Sequence, residues 1–273
     1  MLLPLLMIWM LFHPALTMDA ASAACRLFVT SVMPGLFPYM VLALMLVSRL
    51  STSLPPAGLV ALGWCGGSPT GARLLRLYPG GRRTRVRLAV STATMSPMFL
   101  LGTIGGWLGS GWAGAAALGS VVTGGALAGL LAGALTRDGG MESAQNNAPP
   151  APLSFGEAVE QAAKTMLLVC GTMVMLRVAA ALVTASVPCG SLPLTTLLEV
   201  TTGAVEIAAL PLPLPLRTAI LAGATGFGGA AVVMQNRALY PAGLLSLPEQ
   251  LLWQAVHGVI SFLIALGVML LTA

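Results

Sequence analysis

Charge is too scarce in this chain to cover a water-soluble globule. Asp, Glu, Lys and Arg make up 8% of its 273 residues, about a third of the roughly 25% that soluble domains carry. Apolar residues make up 57% and the mean hydropathy is +0.91. Intrinsic disorder needs the opposite balance, low hydrophobicity with high net charge, and a soluble enzyme is excluded with it. Lipid must be the solvent for most of the molecule. Helix bundles and closed barrels are the two architectures that satisfy their own backbone there. A barrel would show strands of about ten residues with alternating polarity. The apolar runs here are continuous instead, as in spanning helices, and the 32 glycines suit close helix approach.

Several kinds of chemistry lack their signatures. There is no GxxxxGK[ST] loop, HExxH or GxSxG elbow, and 2 histidines leave little for acid–base work, so no enzyme is expected. Cys25, Cys65, Cys170 and Cys189 stand apart without a CxxC or Cys/His cluster and read as small membrane-embedded side chains. Neither a metal nor a cofactor is expected. The net charge of +5 reads as topology, because basic residues in short loops mark the cytoplasmic side. No polybasic domain stands outside the membrane, so nucleic acid is not an expected partner.

The first apolar segment, Met1 to about Thr17, can be read as a signal peptide with Ala21-Ser22-Ala23 as its cleavage site. No Lys or Arg precedes it, which favours a retained helix over residues 1–23. The rest divides into a first repeat (24–136), a polar cytoplasmic linker (137–153) and a second repeat (154–273). Each repeat reads as a long helix, a broken segment, a Gly-interrupted helix and a final helix. In the first, these are Ala24–Leu50, Pro55–Tyr78 with Cys65 to Gly71 in its middle, Leu88–Gly109 and Trp112–Thr136. Gly102, Gly105, Gly106 and Gly109 would let these helices pack closely. In the second, they are Phe155–Val187, Ser191–Leu210 broken at Thr201-Thr202-Gly203, a helix from Arg217 interrupted at Gly226 to Gly229, and Pro248–Leu271.

Matching interruptions in two halves point to a transporter-type binding site. If each broken segment is a re-entrant hairpin, each half crosses three times and the halves are inverted; if both cross fully, the halves are parallel. With the N-terminus inside, the hairpin arrangement puts Arg49, Arg73, Arg76, Arg82, Arg83, Arg85, Arg87, Arg137, Lys164 and Arg237 on the cytoplasmic side. Of the 13 basic residues, only Arg26, Arg177 and Arg217 fall outside, a positive-inside pattern. The expected fold is therefore an all-α polytopic membrane protein of two inverted repeats with one extra N-terminal helix.

Non-helical backbone at membrane depth survives only where protein or a wet cavity satisfies it, so the breaks are the candidate sites. Ser68 reads as an N-cap with Pro69 at the first helical position. The free N–H groups up to Thr70 would then face an electronegative group on a solute; the alternative is an ordinary loop. Glu199 and Glu206 flank Thr202 and would share one face of an unbroken helix. A carboxylate at the membrane centre costs roughly 2.5–3.5 kcal/mol and usually faces a cavity. Glu199 is the stronger contact for a solute or coupling cation, whereas Glu206 equally suits an ion pair with Arg217. The Gln235 amide suits a polar, uncharged solute or an interhelical hydrogen bond. Its first-half counterpart, around Thr94 and Ser96, offers only hydroxyls. His257 and Arg177 read as packed or snorkelling side chains.

Five stretches carry a family resemblance. Ser31 to Tyr39 resembles the "PSLFPF" signature of YlbJ-type sporulation integral membrane proteins, which belong with the nucleoside-recognition, or Gate-domain, membrane proteins. Gly67 to Ala72 resembles that family's next motif. Ser96 to Gly105 is similar to its "GPxFxxGxxG" stretch, Glu199 to Gly203 to "ExTxG", and Gly226 to Gln235 to "GFGGxxVxxQ". The resemblance implies a multi-pass protein of a bacterial plasma membrane, related in architecture to concentrative nucleoside transporters, with a role in endospore formation. Where the family tends to carry asparagine, this chain has Ala93, Thr94 and Met95, and Thr202, so fewer amides are present to grip a base or sugar. The partners expected are a small, nucleoside-like polar solute with a coupling cation, membrane lipid and further copies of the chain. The function expected is alternating-access transport, with a non-transporting factor for spore or envelope assembly as the alternative.

Overall fold

The computed structural model describes residues 2–50, 55–78, 80–137, 152–186 and 191–272. Cys189 and most of the 137–153 linker lie outside them. Among the described residues the chain is all-α, and five helices are long and apolar enough to cross a membrane.

Helix α1 (Leu2–Phe12) and helix α2 (Pro14–Leu27) meet at His13. Proline has no N–H to donate, and its ring blocks the preceding turn, so the interruption falls here and not between Thr17 and Ala24. From Pro14 the chain runs on through a π turn (Phe28–Val32) into α3 (Met33–Leu50), making Pro14–Arg49 one apolar rod. The π turn sits just ahead of Pro34, where Met33 N–H reaches back to Phe28 O.

The middle of the first half is short pieces: α4 (Pro56–Gly66), α5 (Thr70–Leu74), which tightens into a 3-10 turn over Leu75–Leu77, and α6 (Arg82–Ser91). The helix expected over Leu88–Gly109 is interrupted. It starts earlier, at Arg82, stops at Ser91, and resumes at Pro97 as a π turn (Phe99–Ile104) leading into α7 (Gly105–Trp107). Pro97 has no N–H, and Ser96 Oγ accepts from Phe99 N at 3.2 Å, so the new helix is capped at Ser96. Helix α8 (Gly111–Leu135) closes this half.

The second half also runs from a long helix through shorter pieces to a long final helix. Helix α9 (Phe155–Ser186) is followed by α10 (Ser191–Leu198), α11 (Val200–Ala208), α12 (Leu214–Phe227), α13 (Gly229–Leu239) and α14 (Leu247–Leu271). Ser246 and Glu249 form a reciprocal cap at the start of α14, and Ser154 and Glu157 pair in the same way before α9.

Helices α8, α12 and α14 pack through small residues. A Cβ on Gly124 would clash with Ser261, one on Gly129 with Ser91, and one on Gly258 would come within 2.8 Å of Gly223 O. The close approach expected at Gly102, Gly106 and Gly109 is not found, since nothing lies within 4 Å of a Cβ there. Leu167 on α9 and Leu252, Val259 and Leu263 on α14 are exposed, as lipid-facing side chains are.

Charges segregate toward the two ends of the bundle. Arg73 bonds Gln161 and Thr165 near the start of α9, Arg76 bonds Ala238 O and Leu239 O, and Arg82 pairs with Glu249 at 3.8 Å. At the other end, Arg177 pairs with Glu206 at 3.4 Å beside Arg26 and Asp19. Arg217 Nη1 donates to Ala208 O at 2.7 Å, so the ion pair expected between Glu206 and Arg217 is made with Arg177 instead.

In each half one glycine brings two interruptions together. Gly67, with φ +66° and ψ −179°, occupies a region that is essentially glycine-only, and a Cβ there would lie 2.5 Å from Ser96 N. Gly229, with φ +70°, rests against Thr196 O at 3.0 Å and Val200 N at 3.4 Å by the same measure. Gly67→Ala is therefore expected to lower the thermal unfolding temperature in detergent by the equivalent of at least about 1–3 kcal/mol, whereas Gly102→Ala leaves it unchanged. Equal stability of the two variants would contradict the close approach of the first-half breaks.

Candidate functional site

Both halves contribute to one cavity of about 30 Å³, room for about one or two waters. It lies beside Val169 and Met173, midway along α9. Val32 and Phe99, one from each π turn, form part of its apolar wall. Its polar atoms come from Ser68, Ser96, Glu199, Thr201 and Gln235. Four of the seven residues singled out in the sequence thus meet at one place, although they lie on four separate interruptions or helices.

The first-half residues are held by backbone. Ser68 N–H donates to Thr94 O at 2.6 Å, and Ser68 Oγ donates to Asn236 Oδ1 at 2.7 Å, a bond from one half to the other. Helix α5 starts at Thr70, with Pro69 in the capping position. The expected array of free N–H groups at Ser68 is thus already engaged in part: Thr70 N–H also donates, to Gly67 O at 2.8 Å. Thr70 Oγ1 donates to Gly66 O at 3.2 Å and is away from the cavity lining. Thr94 is 1% exposed, and its hydroxyl has no partner among the described residues.

Glu199 defines the second-half break. Its carboxylate accepts from Thr201 N at 2.9 Å, Thr202 N at 2.7 Å and Thr202 Oγ1 at 2.6 Å. It is the N-cap of α11, so the helix breaks here and not at Thr201-Thr202-Gly203. A carboxylate 1% exposed is costly in a low dielectric. Two backbone N–H groups, a hydroxyl and the positive end of α11 offset that cost. Because the helix starts at Val200, Glu206 does not join Glu199. Glu206 and Thr202 line a separate, open pocket with Arg26 and Arg177.

Gln235 Nε2 donates to Thr172 Oγ1 at 2.7 Å, linking α13 to α9. Asn236 and Thr172 escaped the sequence reading. Asn236 stands beside Gln235 at the end of an apolar run and could have been found. Thr172 is one of many helical threonines and carries no signal. Among the described residues there is no cluster of three or more His, Cys, Asp or Glu side chains that could hold a metal ion. Glu199 is the one acidic side chain lining the cavity.

The cap generates a test. Glu199→Ala strips α11 of its acceptor and is expected to cost about 0.5–2 kcal/mol, read as a lower unfolding temperature, while Glu199→Asp keeps most of the stability. If the alanine and aspartate variants melt alike, the carboxylate is not holding the break.

Compared with protein-family models, with curated proteins and with solved structures, the chain matches none of them.

Proposed function

We propose that the protein is a membrane carrier that binds a small polar solute in the cavity between its two halves and moves it by alternating access. The observation that carries this reading is the convergence of interruptions from both halves on Ser68, Ser96, Glu199 and Gln235 around one cavity. Broken helices meeting from corresponding places in two repeats are the usual frame of a carrier site. In this reading α4–α5 and α10–α11 are re-entrant hairpins, the halves are inverted repeats, and the arginine-bearing end faces the cytoplasm of a bacterial plasma membrane. The resemblance to YlbJ-type and Gate-domain proteins extends the proposal to a nucleoside-like solute, a coupling cation and a role in sporulation.

The cavity supports a closed form. Sites for drug-sized ligands run roughly 300–1,000 Å³, so a nucleoside enters only after one bundle moves against the other. Glu199, with its charge, is the group to attract a coupling cation or a solute donor. Gln235 supplies an amide, and Ser68 a hydroxyl.

A second reading has its own observation. Ser68 bonds Asn236, Glu199 caps α11, and Gln235 bonds Thr172, so these groups are already engaged within the chain. That favours a non-transporting membrane factor which keeps carrier architecture and serves spore or envelope assembly through protein partners.

Flux separates the two. Purified protein in liposomes, screened with nucleosides and other small polar metabolites, is expected to show uptake that Gln235→Leu and Ser68→Ala each abolish without loss of folded protein. Transport unchanged in both variants removes this site. Absence of binding and flux for every solute favours the second reading.

A further inference from the structure

A second polar region lies apart from the central cavity. Helix α14 carries Gln250, Gln254, His257 and Ser261 at intervals of four, three and four residues, one face of a helix. None is more than 4% exposed. Such a stripe is costly inside a membrane protein unless each group finds a partner. Here several do not. Gln250 Nε2 donates to Val233 O at 3.1 Å, and Ser261 Oγ to His257 O at 2.8 Å. His257 Nε2 sits 2.8 Å from Val121 O; a carbonyl only accepts, so Nε2 bears the hydrogen and Nδ1 of the neutral ring is an acceptor. Gln250 Oε1, both amide atoms of Gln254 and His257 Nδ1 have no partner among the described residues, nor do Thr94 Oγ1 and Asn236 Nδ2.

These groups share a place. Gln250, Gln254 and His257 line one small cavity of about 10 Å³ with Ala93 and Tyr240, close to the least volume that holds a water. Their chemistry fits that ligand. A water can donate to His257 Nδ1 and a glutamine Oε1 while accepting from Gln254 Nε2. The two cavities are lined by neighbouring residues of the same stretches of chain. Ala93 lines the first, and Met95 and Ser96 line the second. Thr94 lies between these residues in the chain, its carbonyl bonded to Ser68 N–H. On α13, Val233 O holds Gln250 and Gln235 lines the central cavity; Asn236 follows, bonded to Ser68. Thr94 and Asn236 each carry one of the unpartnered polar atoms.

We propose that Gln250, Gln254 and His257 form a built water site, and that Thr94 and Asn236 join it to the central cavity as one hydrated seam. The seam begins next to Glu249, which pairs with Arg82. The geometry stands whichever solute is carried. It sets the region apart from the apolar core around Met40, which is 0% exposed.

Radiolytic footprinting of the full chain in lipid nanodiscs, in isotope-labelled water, reads bound internal water directly. His257, at the water site, and Met173, on the wall of the central cavity, are expected to take up label faster than the equally buried Met40. Gln254→Leu is expected to lose the label at His257 and to lower the unfolding temperature, because it removes a partner of the water. A His257 as silent as Met40, or a Gln254→Leu variant that melts higher because an unmet amide has been deleted, overturns the proposal. Label at His257 that is unaffected by Gln254→Leu also overturns the site as assigned. None of these outcomes depends on transport, so failure here and failure of the carrier reading are distinguishable.

Discussion

Lipid offers no hydrogen bond, so wherever a helix stops inside this bundle the chain must supply the missing partners itself. The rest of the structure follows from that constraint. The α4–α5 break is tied by Ser68 N–H to Thr94 O, the restart at Pro97 by Ser96 Oγ to Phe99 N, and the α10–α11 break by the Glu199 carboxylate. Each break is stabilised by another break or by its own cap. Where one break supplies the partner of another, as Thr94 O does for Ser68 N–H, the two are drawn together. Clustering in turn gathers their polar side chains around one cavity.

Glycine sets how tightly they gather. Gly67 and Gly229 take backbone conformations that side chains rarely adopt, each at the point where a second interruption presses against the first. The π turns at Phe28–Val32 and Phe99–Ile104 work alongside them. Each adjoins a proline, at Pro34 or Pro97, and each turns one apolar side chain, Val32 or Phe99, into the cavity wall. Such bulges commonly accompany functional sites.

Much of this was legible in the residues. The scarcity of charge specified a membrane bundle, and the Gly226 to Gly229 run marked the α12–α13 break where it occurs. What escaped was local competition. Thr201-Thr202-Gly203 looks like a break because threonine and glycine disfavour helix interiors. Yet the Glu199 carboxylate accepts from the Thr201 and Thr202 N–H groups and moves the break to itself. The same cap removes Glu206 from the site, an outcome that spacing along an unbroken helix could not foresee. Pro14 moves the interruption to His13, so two segments that apolarity alone separates near Ala24 run on as one rod. The bond between Ser68 and Asn236 spans the two halves and has no sequence signature, since nothing local requires it.

That bond is also the most direct handle on the central claim, that interruptions from the two halves meet. With Cys25, Cys65, Cys170 and Cys189 replaced by alanine, Ser68→Cys and Asn236→Cys should be joined by a short bifunctional thiol reagent in the membrane-embedded protein. Mass spectrometry should recover a peptide linking the two halves of the chain. Free thiols at both positions, in protein that remains folded, would contradict the account.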